Sequence, residues 1–440
     1  NPGVYSINWR VLSVVDGHYN QGLMVFGVGN QADLGAGVTG TQTPTGAPFI
    51  EVFLRGINYI SVSLLAGAFL MILSILSLAS ADPRLTALRE TARRRVLVFL
   101  KWVAYLALLI GFGSLAWQVA QSIDVTAGIR VIASTIGQLV FQTRWGALWW
   151  ARQGFVSGIL VSVLFALRSR KPLPRVALWS GMALSVALLL VQALGSHAAT
   201  ILPNPVLTIF VDALHLLAAS LWIGGISGMV VGLVPVLLRT ERASFSLLAR
   251  ESWGPFSRVA AISVGALFST GLFSMAYQVA SLDTLFQSVY GQILLQKLGV
   301  FVLIGLIGLA NSVILHPQLA TPLARLLGKP RGWAPLPLRA LPFLVGLEAT
   351  LGIVVFMIVG LLTTNPPANG PEYRYAGMNQ PEFVTQNVDD LLVIFSARPN
   401  KPGQNIFNVR AVSMRKPARA EIMRVIVRFK YLDQDLGRQT

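Results

Sequence analysis

Residues 195–225 read GSHAATILPNPVLTIFVDALHLLAASLWIGG: the end of one apolar run, a short Pro/Asn loop and the beginning of the next. This stretch holds two of only four histidines in 440 residues. His197 closes the first run, and His215 lies about a third of the way into the second, one helical turn after Asp212. An ionisable group inside an apolar span is expensive unless it is paired or functional, so each is a site hypothesis.

Composition places the rest of the chain around that pair. Hydrophobic residues make up 54%, charged residues only 12%, and mean hydropathy is +0.63. Soluble domains carry about 25% charged residues, so this chain is an integral membrane protein. The formal charge of +17 does not indicate nucleic acid, because 17 of the 35 Lys/Arg fall in four short connections between apolar runs. With no cysteine, disulfides, thiolate metal sites and cysteine nucleophiles are excluded, leaving His, Met, Asp, Glu or backbone oxygen for any metal.

Eight apolar spans are expected near 57–80, 96–118, 146–167, 176–196, 206–238, 257–280, 292–315 and 340–362. The basic connections are 82–95, 168–175, 239–258 and 317–339, and the three connections between them hold only Arg130 and Arg144. The positive-inside rule then puts both termini outside a cytoplasmic membrane. The pattern predicts an all-α transmembrane bundle over 51–363, with a surface helix within the outer connection 119–145. Trp145, Trp149 and Trp150 read as interfacial anchors, and Arg144 and Arg152 as snorkelling side chains.

In front, residues 1–30 contain two strand-like runs around VDGHYNQG, a partial hairpin of a larger extracytoplasmic sheet, joined by a Gly/Thr/Pro linker over 31–50. Behind, residues 364–440 turn polar and charged, with strand-like 390–397, 404–413 and 421–431, as expected of a small, incomplete, sandwich-like β-domain outside the membrane.

On this topology His197 sits at the outer surface and His215 about 13 Å inside it, at about 1.5 Å per residue. Asp212, His215, Ala219 and Trp222 share one helix face. Two imidazoles and a carboxylate suit copper. The alternative for His215 is a buried histidine satisfied by Asp212 or a backbone carbonyl. Glu348, near the middle of the last span, cannot easily reach water and must pair or move protons. It reads as a proton- or ion-coupling group, with a hydrogen bond from a protonated carboxyl as the alternative. Lys101 and Lys297 read as snorkelling. Span methionines (Met182, Met229, Met275, Met357) read as packing, and His316 as an interface residue.

Two resemblances add to this. G-x-Y-x-x-x-W-R-V-x-S-x-x-D-G-H followed by G-x-x-x-F resembles the end of the periplasmic copper-binding protein CopC, which implies Asp16 and His18 as Cu(II) ligands. GSHAA, DALHLLAASLWIGG, TRWG at 143–146, PFSRVA at 255–260, YGQILLQKLGV at 290–300 and NPPA at 365–368 together resemble the copper-resistance membrane protein CopD. The pair implies a CopC/CopD fusion that carries copper ions across the bacterial inner membrane. A periplasmic copper chaperone or a larger membrane complex would be its partner. No P-loop or acyl-phosphate motif is present, so transport would run on an ion gradient, proton coupling or downstream capture. The rival reading is a non-transporting accessory subunit of a respiratory or photosynthetic membrane complex. Bis-histidine haem ligation is disfavoured because His197 and His215 differ in depth by more than two turns. No nucleophile–base constellation points to an enzyme.

Overall fold

Apolar helices lengthen until something caps them, and several reach beyond the spans that hydropathy delimits. The structure, a computed structural model, describes residues 3–12, 19–28, 48–76, 82–123, 128–169, 175–196, 204–330, 333, 335–369, 384–388, 391–398 and 406–413. It forms two compact units, Asn1–Ala368 and Asn369–Thr440.

The first unit is mostly helical: α1 (Phe49–Leu76), α2 (Pro83–Ser122), α3 (Ile129–Gln142), α4 (Arg144–Arg168), α5 (Arg175–Leu194), α6 (Pro205–Leu237), α7 (Arg242–Gln278), α8 (Leu282–Gln287), α9 (Val289–Leu315), α10 (Thr321–Leu326) and α11 (Leu341–Thr363). Eight of these, all but α3, α8 and α10, are long and apolar enough to cross a membrane. The unit is a multi-pass membrane protein.

α2 begins thirteen residues before the expected span. Asp82 caps it by accepting from the Arg84 backbone N–H at 2.8 Å, and Pro83 fits the first turn. The basic connection 82–95 is therefore helical, and α2 at 40 residues is about twice the length a bilayer requires. Arg89, only 3% exposed, donates to Glu251 of α7 at 2.7 Å and clips these two extensions together.

α1 is the axis of the bundle. Of its most apolar window 83% is buried, against 17–44% in the other seven spans, so its neighbours surround it on all sides while theirs face lipid outward. Phe112, Phe268, Leu306 and Phe343 are among the exposed apolar side chains. α1 approaches α6 backbone to backbone: a Cβ on Gly67 would lie 2.1 Å from the Ser220 carbonyl, and one on Gly224 2.2 Å from the Ser63 carbonyl. At that contact α6 relaxes into a π-helical turn, Ser220–Gly224. α1 and α11 cross as closely, at Gly56 and Gly360.

The motifs of the CopD resemblance occupy structural joints. Thr143 caps α4 through the Gly146 N–H at 3.0 Å, and Arg144 donates to the Leu194 carbonyl at 3.0 Å. Pro255 lies inside α7 next to Phe256, which packs on Gly225. Ser288 caps α9 through Gly291, and the Tyr290 hydroxyl donates to Gln278. Asn365 donates to the Leu361 carbonyl at 2.7 Å, and Ala368 bridges to Val279 and Ala280 at the end of α7.

In front of the helices, β1 (Gly3–Leu12) pairs antiparallel with β2 (Tyr19–Val28), Trp9 opposite Gly22. The second unit contains an antiparallel ladder of β3 (Val384–Val388), β4 (Leu391–Arg398) and β5 (Ile406–Ser413), with Phe395 stacked on Phe407 at 5.9 Å. The strand-like 421–431 and nearly all of the linker 31–50 lie outside the described residues.

Candidate functional site

Helix α6 supplies most of the candidate polar residues. Asn204 and Pro205 start it. Asp212 and His215 follow on one face, both partly exposed within the bundle. The Nδ1 atom of His215 lies 2.8 Å from Oγ1 of Thr270 on α7. That hydroxyl donates its proton to the Ala266 carbonyl at 2.6 Å. A hydroxyl has one proton, so it meets His215 as an acceptor, and the hydrogen-bond network assigns the ring proton to Nδ1. Nε2 then carries the lone pair. Gly271, whose Cβ would stand 3.7 Å from His215 Cε1, keeps the α7 side of the ring uncrowded.

Asp212 acts electrostatically on Tyr59 of α1 and on Tyr290 and Lys297 of α9, and Lys297 acts on His215. Lys297 therefore lies within electrostatic range of Asp212 and His215. His215 takes Thr270 as its hydrogen-bond partner, rather than the Asp212 or backbone partner of the alternative reading.

About 10 Å further along α6, at the helical rise per residue, lies Trp222. It is 3% exposed in the π-helical turn, and its indole N–H donates to Oε1 of Glu348 at 3.1 Å. Oε2 of Glu348 accepts from Nδ2 of Asn311 on α9 at 2.8 Å. Glu348 is itself 3% exposed. Gly308 admits it, because a Cβ there would stand 3.3 Å from Oε1. Phe301 meets Trp222 edge-on at 5.8 Å between ring centroids. The Oδ1 of Asn311 is buried without a hydrogen-bond partner. A buried carboxyl group and an orphaned amide oxygen thus belong to neighbouring side chains in the bundle, a pair able to hold a proton or a small cation.

Of the sequence-derived candidates, the structure brings Asp212 and His215 to one group and places Glu348 of α11 in another, against Trp222 of α6. His197, Asp16 and His18 lie outside the described residues. Among the described residues no three or more His, Cys, Asp or Glu side chains gather as a metal cluster. Sequence reasoning missed Thr270 and Asn311. Threonine and asparagine in apolar helices carry no periodic signal, and only the inter-helix crossing reveals them. Two interfacial assignments change as well. Trp149 is 6% exposed and donates to the Gly111 carbonyl at 2.8 Å, so it packs between α2 and α4. Arg152 turns inward, with Nη2 near the Ala107 carbonyl at 3.4 Å.

No solved structure matches the chain. The chain is similar to "Copper transport protein CutJ" of Bacillus subtilis (strain 168), 28% identical over 416 residues, covering 92% of this chain and 68% of that protein. It is also similar to "Inner membrane protein YebZ" of Escherichia coli (strain K12), 26% identical over 251 residues, 55% of this chain and 76% of that protein. Residues 46–201 match the family described as "Copper resistance protein D-like, N-terminal domain", and residues 250–362 match "Copper resistance protein D". The helices on either side of α6 thus carry the copper-resistance D matches, while Asp212 and His215 fall in the segment between them.

Proposed function

We propose that this chain moves copper across a bacterial cytoplasmic membrane, taking the ion up on the outer side and passing it inward through the helical bundle. Asp16 and His18 would be the first ligands, in a front hairpin read as the end of a CopC-like domain. His197, Asp212 and His215 would receive the ion in the outer leaflet. Glu348 would contact it or couple protons further in. Both termini and the rear β-domain would lie outside. The chain carries the ion and catalyses no covalent step.

The observation that carries this reading is the Thr270–His215 hydrogen bond. Metal-binding histidines characteristically donate their second ring N–H to an oxygen, which fixes the tautomer and presents the other nitrogen to the ion. Two further features agree. Oxygen and imidazole donors suit copper in a chain without thiolates. The Trp222–Glu348–Asn311 group adds further polar side chains about two turns along α6 from His215.

The test is the copper content of the purified protein, native and as His197→Ala/His215→Ala, with uptake by reconstituted vesicles. Stoichiometric copper that is lost in the double variant, with copper-dependent uptake, supports transport. A protein free of copper that co-purifies within a larger respiratory complex would sink it and favour the accessory role. A Soret band would instead assign the histidines to haem.

A further inference from the structure

A cavity of about 160 Å³ lies between the outer ends of α1, α2, α4 and α5, well apart in sequence from Asp212 and Glu348. Its lining includes Glu51, Arg55, Asn58, Trp117, Arg152 and Gln192. The charges within it are not balanced. Glu51 is taken by Arg55, whose Nη2 donates to Oε1 at 2.7 Å, and by Gln121, which donates to Oε2 at 3.3 Å. Arg55 also donates to the Thr363 carbonyl at 3.2 Å, and Asn58 Nδ2 to Gln192 at 2.8 Å. Among the described residues Arg152 has only the long contact to Ala107, and its buried Nε has no partner. The buried indole N–H of Trp117 has none either, and neither does Asn58 Oδ1.

Leaving a buried N–H unsatisfied costs about 1–3 kcal/mol, and more where the donor is charged. Two such donors, one on a guanidinium, belong to residues that line a single cavity, whose one lining carboxylate is already engaged. A bare metal cation is repelled by that balance; an oxyanion is attracted. The orphaned Asn58 carbonyl oxygen adds a place for a hydroxyl.

We propose that this cavity binds a singly charged phosphate group, with its anionic oxygens on Arg152 and Trp117 and a hydroxyl on Asn58. Guanidinium matches phosphate geometry, and basic pockets between membrane helices hold anionic headgroups. The same chemistry is offered by the glycerol phosphate of an anionic phospholipid and by free dihydrogen phosphate.

The full-length protein, stripped of lipid, is exchanged into vesicles of equal phosphatidylglycerol and phosphatidylcholine, and retained lipid is read by native mass spectrometry. In parallel, its melting temperature is followed against inorganic phosphate. Wild type retains phosphatidylglycerol, or is stabilised by phosphate, and which of the two occurs identifies the source. Arg152→Gln weakens that binding about tenfold, the effect of one lost charge-assisted contact. Trp117→Phe keeps an aromatic ring, removes the donor and weakens binding several-fold even if the arginine variant folds poorly. Trp150→Phe, on the lipid-exposed side of α4, changes nothing. Selectivity for neither ligand, or phosphate binding unaltered in both cavity variants, overturns the proposal.

Discussion

His215 and Thr270 meet across α6 and α7, and that one contact favours the proton on Nδ1 and the lone pair on Nε2. Thr270→Val removes the acceptor while preserving shape, so the ring loses its fixed tautomer. Copper retention should fall by about ten- to a hundredfold, with Thr270→Ser restoring it. Equal retention in the valine variant would show that the contact only packs the helices. At Glu348 two substitutions separate structure from function. In Glu348→Gln the Trp222 donor keeps an acceptor, and Asn311, turned over, offers its orphaned Oδ1 to the new amide. Thermal stability should therefore stay near wild type while copper uptake is lost. Glu348→Ala leaves two buried donors unpaired and should destabilise by about 2–4 kcal/mol. Full uptake by the glutamine variant would reduce Glu348 to an inter-helix hydrogen-bonding group.

At the level of elements, the decisive contact is α1 against the π-helical turn of α6. Small residues let the two backbones touch, and the π turn redirects Trp222 toward Glu348. Gly67→Ala would push a methyl to within 2.1 Å of the Ser220 carbonyl, a backbone atom that cannot swing away. A loss of about 1–3 kcal/mol is expected from such overpacking, read as a lower melting temperature in detergent. Gly299→Ala, which meets nothing within 4 Å, is the matched control. If both variants melt alike, the close crossing is not what holds α6 in place.

For the whole molecule, the distribution of Lys and Arg predicts an even number of crossings with both ends outside. The absence of native cysteine makes this directly measurable. A cysteine placed at exposed Thr91 should react with an impermeant thiol reagent only from the cytoplasmic side. One at Val289, exposed at the start of α9, should react only from outside. Labelling of both from the same side would reverse or break the proposed topology.

Much of this was legible in the residues themselves. Span number and order follow from apolar runs of about twenty residues, because backbone groups in lipid must bond within their own helix. Asp212, His215 and Glu348 stood out because charge is costly in such runs. The sequence could not delimit α2, whose basic first turns look like a loop until Asp82 caps them and Arg89 finds Glu251. Nor could it assign Trp149 and Arg152, whose types suit an interface but whose helix faces turn inward. Thr270 and Asn311 became visible only when α7 and α9 were laid against α6 and α11. Hydropathy reports how each helix partitions between water and lipid. Which side chains meet inside the bundle depends on helix rotation and close glycine crossings, and those are properties of the packed structure alone.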